Sequence, residues 1–390
     1  MNYFIDLAYD SLNKRNEELC GDKVEVVDTG DSVIIVLADG LGSGVKANIL
    51  ATMTTKIAGT MLKEGASVYE TIETIAKTLP VCHVRKLAYS TFVILKIGKN
   101  GIAQLVEYDN PPLFYIRNNR ELDISKKERM IHGKKILESE FEVMEGDSIT
   151  IVSDGVIHAG VGGVLNLGWQ WENVLCFLLK HAQLEKTAKG ITNRLMNTCI
   201  DLYEKKPGDD TTVVSIKIRE PEIVSIFAGP PENKENDSRL MQDFMAARGV
   251  KVVCGGTATN IASRELGEEI EVLLETGTEQ VPPIGKSQVL DLVTEGVITL
   301  SCVLEKLEQY VNRISLDLEV QQNGKEDGAY LLTKMLINDC THVCFYVGQA
   351  INPAHQNPDL PKDLSIKLQV IKKIKEFLET LGKEVTVQYY

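Results

Sequence analysis

The chain has 390 residues, 44% hydrophobic and 25% charged, which excludes a mainly disordered chain and gives length for about two domains. Its 42 basic and 55 acidic side chains leave a formal net charge of −13, which argues against a general electrostatic grip on nucleic acid or on an anionic membrane surface. No apolar run approaches the ~20 residues of a bilayer span, and the opening MNYFIDLAYDSLNK lacks the features of a signal peptide, so the expected location is the cytoplasm.

In chain order, residues 24–28 and 32–38 read as strands joined by the hairpin signal Thr29-Gly30-Asp31. Residues 44–64 carry Val45, Ile49, Met53, Ile57 and Met61 four apart, which predicts a helix with that face buried. A second helix is expected over 67–79, then strands at 90–97, 102–108, 113–117 and 148–152. Residues 173–203 read as helical with a weak break at Gly190, and 211–218 as a last strand. This α+β order pairs sheet with sheet and leaves helices outside. The charged stretch Arg219-Glu220-Pro221-Glu222 marks a boundary between domains at 1–219 and 223–390. Beyond it strands (223–228, 250–254, 269–275, 342–347, 384–389) alternate with helices (237–248, 258–266, 363–381), which predicts a second, α/β domain with a parallel sheet. The eight cysteines form no CxxC pair and suit reduced thiols, although Cys340 and Cys344 share a spacing that a helix face can use.

Carboxylates mark the ends of several strands. Asp39 and Asp154 each end an apolar run and precede glycine, while Asp209 and Asp210 stand just before the last strand of the first half. One Asp-Gly pair is ordinary turn chemistry. Two strand ends and one strand start, however, can meet on a single rim of an antiparallel sheet. Carboxylates gathered there repel unless a cation lies between them. Hard oxygen donors suit magnesium or manganese, and two such ions sharing Asp39 would polarise water for attack on phosphorus.

The ordered motifs ADGLGSGVKA (38–47), SDG (153–155) and GDDTTVV (208–214) resemble those of the metal-dependent protein phosphatases of the 2C type, and more closely the bacterial SpoIIE-type branch. CGD (20–22), STF (90–92), DNPP (109–112) and EGD (145–147) fit the same pattern. The resemblance covers roughly residues 1–219 and implies a 2C-type β-sandwich flanked by helices. It implies hydrolysis of phosphoserine or phosphothreonine on a regulatory protein, such as an anti-sigma-factor antagonist, by direct attack of metal-activated water. Two manganese or magnesium ions are implied. Asp39 matches the bridging aspartate and the Gly40 carbonyl a ligand of the second ion. Asp154 and Asp209 match ligands of the first ion, Asp22 a support of the second, and Asp210 a residue that orients a ligand water. Gly42 and Gly44 are expected to allow close backbone approach at a helix start that favours an anion.

Leu41 stands where eukaryotic 2C-type enzymes carry a histidine, and their upstream phosphate-binding arginine has no clear equivalent; SpoIIE-type members share both absences. Lys46, Arg85 and Lys86 are the candidate anchors, with a solvated surface role the default for each. His83 and His158 are expected in loops, the latter within reach of the metal rim. In the second half, CGGTATN (254–260) lies where an α/β sheet binds ligands, and either a phosphate cradle or an N-cap threonine explains it. Residues 291–299 and 348–358 are expected on the same rim. The contrasting reading of the whole is a non-catalytic phosphatase-like sensor or binding module whose C-terminal α/β domain binds a ligand. A homodimer is an open expectation.

Overall fold

The computed structural model describes residues 3–78, 90–131, 133–312, 326–350 and 365–390. The candidate residues His83, Arg85 and Lys86, the cysteine at 82 and most of 348–358 lie outside them. The chain divides into two compact units, Met1–Glu220 and Pro221–Tyr390.

Unit 1 opens with β1 (Phe4–Leu12), β2 (Asp22–Asp28) and β3 (Ser32–Gly40), followed by the helices α1 (Gly44–Lys63) and α2 (Val68–Thr78). Then come β4 (Ser90–Gly98), β5 (Ile102–Tyr108), β6 (Phe114–Arg117), β7 (Arg120–Glu121), β8 (Lys127–Ile131), β9 (Lys134–Glu142) and β10 (Ser148–Val152). The short α3 (Asp154–Ile157), α4 (Trp171–His181), α5 (Ala188–Leu202) and β11 (Thr211–Arg219) complete it. One sheet runs β1-β11-β10-β6-β7 and the other β2-β3-β4-β5-β9-β8, with antiparallel pairing throughout.

The two sheets face each other across a core that includes Ile35, Leu37, Leu95, Leu105, Ile149, Ile151 and Val214. Helices α1 and α2 cover the outer face of one sheet, on Ile34, Val36 and Ala38; α4 and α5 cover the other, on Phe114, Val152 and Val213. This explains the unbroken apolar run of β3: its odd positions point between the sheets and its even positions under the helices, so neither face meets water.

Three expectations change here. The face of α1 carrying Val45, Ile49 and Met53 is exposed, at 60%, 52% and 39%. The buried face is Ala47, Leu50, Ala51, Thr54, Ala58, Gly59 and Leu62. Small residues go inward because the helix lies close on the sheet: a Cβ on Gly59 would stand 3.1 Å from Glu25 and 3.2 Å from Val27. The helical stretch at 173–203 breaks before Thr187, not at Gly190. Thr187 caps α5 by accepting the Gly190 N–H. Cys340 and Cys344 do not share a helix, since Cys344 lies on a strand, and among the described residues no disulfide forms.

Unit 2 contains β12 (Ile223–Ala228), α6 (Asp237–Ala246), β13 (Val250–Cys254), α7 (Gly256–Leu266), β14 (Glu271–Leu273), β15 (Ile284–Lys286) and β16 (Leu292–Thr294). It continues with α8 (Val297–Val311), α9 (Gly328–Lys334), β17 (His342–Val347), α10 (Ile366–Thr380) and β18 (Glu384–Tyr389). The strands β16-β13-β12-β17-β18 are parallel neighbours in that order, extended by antiparallel β15 and β14. Helices α8, α9 and α10 contribute to the core on one face and α6 and α7 to that on the other. No helix among the described residues is long and apolar enough to cross a membrane.

One brace in unit 1 is purely structural. The buried Asp147 of the EGD motif accepts from Arg117 Nε, the Tyr115 hydroxyl and the Met144 N–H, each at 2.7 Å. Asp147→Ala leaves these donors without their acceptor and is expected to lower the stability of unit 1 by roughly 3 kcal/mol. Urea unfolding measures it; a wild-type midpoint would show that the brace contributes nothing.

Candidate metal centre

The candidate aspartates meet because of strand register. Asp22 begins β2 directly opposite Asp39 near the end of β3, and Thr91 of the STF motif sits on the other side of Asp39. The Ser90 hydroxyl donates to the Asp39 carbonyl at 2.9 Å and so fixes that strand end. In the other sheet β10 and β11 are antiparallel, which brings the end of one, before Asp154, to the start of the other, after Asp210. Ser153 and Thr212 tie the two: the Thr212 N–H donates to Ser153 Oγ at 2.8 Å, and the Ser153 N–H to the Thr212 carbonyl at 3.0 Å.

The glycines after Asp39 and Asp154 are there for space rather than for turn conformation. A Cβ on Gly40 would stand 2.1 Å from the Ala47 carbonyl oxygen of α1, and one on Gly155 would stand 2.0 Å from that of Asp210. Both distances are shorter than any side chain tolerates. Glycine therefore lets helix and strand close on the aspartate beside it. Gly44 likewise gives room to Glu17, which accepts the Ser43 hydroxyl at 3.0 Å. The α1 start, expected to favour an external anion, thus already has a carboxylate against it.

Asp39, Asp154, Asp209 and Asp210 line one cavity of about 380 Å³, with Gly40, Leu41 and Ser90. Asp22 lies across the strand pair from Asp39, 3% exposed, and neither carboxylate oxygen makes a well-formed hydrogen bond, although the Ser153 and Thr212 hydroxyls are close enough to oppose its upward shift; Asp210 Oδ2 also lacks a partner. Burial, then the charges of Asp22, Asp154, Asp209 and Asp210, push the Asp39 carboxyl up to about 9. Burial raises Asp22 to about 7 and also moves Asp154 upward, the latter opposed in part by His158. His158 is exposed at the end of α3.

Among the described residues no three acidic, histidine or cysteine side chains already stand in a coordination sphere. The orphaned oxygens and elevated carboxyls are nevertheless what a hard divalent cation relieves, so the donor set fits magnesium or manganese.

Two contributors escaped the sequence. Lys14 follows β1; its N–H donates to Asp210 Oδ1 at 2.9 Å and its ammonium lies 3.4 Å from Asp209 Oδ1, on the cavity wall. Nothing in the motifs marks it, because the strand that delivers it was not read. Asp109 of DNPP also lines the cavity, in the left-handed conformation (φ 51°) that aspartate tolerates. Lys46 is exposed on α1.

In unit 2 a cavity of about 590 Å³ opens at the carboxyl ends of the parallel strands. It is lined by Gly229, Cys254–Ala258, Glu295–Ile298, Ala350 and Lys367, so parts of the three segments expected on this rim do come together. The cap of α7 is Gly255 (φ 115°), not a threonine, and a Cβ on Gly256 would meet open space. Burial lowers Lys367 to about 8, and its ammonium donates to the Gly348 carbonyl.

Residues 29–219 match the family model of stage II sporulation protein E, SpoIIE. No curated protein matches the chain. Similar solved structures include the phosphatase domain of the cell fate determinant SpoIIE from Bacillus subtilis, 20% identical, covering 56% of this chain and 94% of that one at a TM-score of 0.43. The RsbU and RsbW domains of a Mycobacterium tuberculosis protein are 18% identical, with 62% and 67% covered and a TM-score of 0.47. RsbX in complex with magnesium is 20% identical, with 56% and 96% covered and a TM-score of 0.41.

The Asp39 shift has a measurable sign. The folded chain holds a proton that the unfolded chain has released above the ordinary carboxylate range, so the Asp39 contribution to cation-free stability is complete in acid and is lost as pH rises toward about 9. In chelator, the melting temperature is expected to be lower at about pH 8 than at about pH 5.5. Manganese should restore it most at the higher pH. Asp39→Asn should raise the chelated melting temperature at the higher pH and remove the manganese response. A manganese response unchanged in Asp39→Asn would refute the site.

Proposed function

Because residues 29–219 belong to the SpoIIE family, we propose that this chain is a metal-dependent phosphoprotein phosphatase. It removes phosphate from serine or threonine of a regulatory protein, with an anti-sigma-factor antagonist as the substrate class. The observation that carries the reading is the convergence of Asp22, Asp39, Asp154, Asp209 and Asp210 with carboxylate oxygens left unpartnered.

In this reading Asp39, the Gly40 carbonyl, Asp154 and Asp209 would hold the divalent cation or cations. Asp22 adds negative charge behind Asp39, and Asp210, held by the Lys14 N–H, orients a water. Magnesium or manganese, when bound, supplies Lewis acidity for a water nucleophile and for the charge on the phosphoryl oxygens. Lys14 presents its ammonium to the cavity and binds the phosphoryl group, the part that the missing arginine leaves open. Leu41, also on the wall, has no proton to give, so the leaving serine oxygen takes its proton from water.

Unit 2 is assigned a regulatory or ligand-binding role, supported by its cavity at the strand ends, the usual ligand position in a parallel sheet. If the chain were only a sensor, phosphoprotein would bind without turnover. Asp39→Asn, Asp154→Asn and Asp209→Asn are each expected to lower manganese-dependent hydrolysis of a phosphoserine peptide by about a hundredfold or more. Lys14→Met should raise KM about tenfold with kcat little changed, as loss of a charge-assisted contact does. Full activity in Asp39→Asn, or activity undiminished by chelator, would overturn the proposal.

A further inference from the structure

A second cavity of unit 1, of about 550 Å³, opens beside the metal centre, and Asp154 lines both. One wall is Pro111-Pro112 of the DNPP motif. That wall is pinned: Asn110 Nδ2 donates to the carbonyls of Pro111 at 2.9 Å and of Val152 at 3.1 Å. The Trp171 indole N–H donates to the Pro112 carbonyl at 2.9 Å, and its ring stacks on Phe114 with centroids 4.8 Å apart. The same cavity is lined by Glu121, Asp123 and Glu172, all exposed and, among the described residues, in no ion pair. The one lysine of the cavity, Lys126, is already paired with Glu107. His158 is the remaining basic side chain on its wall.

The charges of the two neighbouring cavities therefore have different tasks. The metal centre, with Lys14, takes the phosphate dianion. The adjoining groove keeps uncompensated negative charge against a rigid aromatic and proline wall. Whatever chain carries the phosphorylated residue in must lay its flanking residues across this opening. An acidic flank is repelled there, while a lysine or arginine gains both the acidic rim and the Trp171 face.

Resting on the phosphatase reading, we propose that this groove seats the substrate chain beside the phosphorylated residue and selects a lysine or arginine within about three residues of it. Glu121, Asp123 and Glu172 set that preference, and among the described residues no hydrogen bond or ion pair joins them to Lys14, Asp39, Asp154 or Asp209.

The test uses the full chain with manganese and three phosphoserine peptides that carry lysine, alanine or glutamate at the flanking positions. p-Nitrophenyl phosphate, too small to reach the groove, reports the chemistry alone. The lysine peptide is expected to exceed the glutamate peptide about tenfold in kcat/KM, mainly through KM, with the gap narrowing at high salt. In the triple variant Glu121→Gln, Asp123→Asn, Glu172→Gln the gap should fall to about twofold, while p-nitrophenyl phosphate turnover stays as in wild type. These substitutions lie on the surface, so the fold is retained. Glu121→Lys with Glu172→Lys should reverse the order of the peptides. Equal rates for the three peptides, or a gap unchanged in the triple variant, would overturn the groove while leaving the phosphatase intact. No hydrolysis of any substrate would overturn the phosphatase reading and the groove with it.

Discussion

Repulsion among carboxylates is the constraint on which unit 1 depends. Asp22 and Asp39 face each other across two paired strands, an arrangement that costs stability when both are ionised. Asp154, Asp209 and Asp210 add to it from the other sheet. Neighbouring features keep these groups close despite the cost. The Ser90 bond holds the Asp39 strand end, the Ser153–Thr212 pair locks the Asp154 segment to β11, and two glycines make room where backbones nearly touch. The Tyr203 hydroxyl adds a bond of 2.7 Å to the Gly155 carbonyl. A protein does not assemble such a framework around unpaired oxygens for stability's sake. Its logic is that of a site prepared for positive charge.

Much of this was legible in the sequence, and for a physical reason. Asp39 and Asp154 end strands that are buried on both faces, so each apolar run stops abruptly at a charge. The CGD and STF motifs proved to be the strands flanking Asp39, while EGD proved to be a brace with no part in the site. What escaped were elements whose pattern is mixed. Strand β1, FIDLAYDSL, is only partly buried and alternates weakly, so neither it nor Lys14 beyond it was read. Strand β8, at the edge of its sheet, exposes most of its residues, the neighbouring β9 mixes buried, half-buried and exposed positions, and helix α8 begins behind a glycine. Periodicity reports spacing and not size, so the bulky four-apart stripe of α1 points to the wrong face. Close contact with a sheet demands small side chains inward, and the bulky stripe is left outside.

Unit 2 shows the opposite balance. Its strand–helix alternation marked a parallel sheet, and that topology alone places the ends of β12, β13 and β16 around one opening. Buried lysines recur as a device in both units. Lys217 donates to the Ala182 and Glu185 carbonyls, Lys251 to that of Ala247, and Lys383 to those of Ile337 and Cys340. Each satisfies carbonyls at or near a helix end from a neighbouring strand or strand start.

The pairing of β1 with β11 bears on how the chain comes to be. Phe4 lies opposite Arg219 and Leu12 opposite Thr211, so the first strand of unit 1 waits for its last. Lys14 and Asp210, joined by the bond from the Lys14 N–H to the Asp210 carboxylate, close on each other in the same event. Contacts between such distant segments form late, because the intervening loop entropy must be met first. On the ribosome, residues up to about 210 can be present with Asp22, Asp39 and Asp154 all made, yet without the strand that unites them. Competence at this site is thus an all-or-none property of a finished domain: a nascent or truncated chain cannot carry half of it.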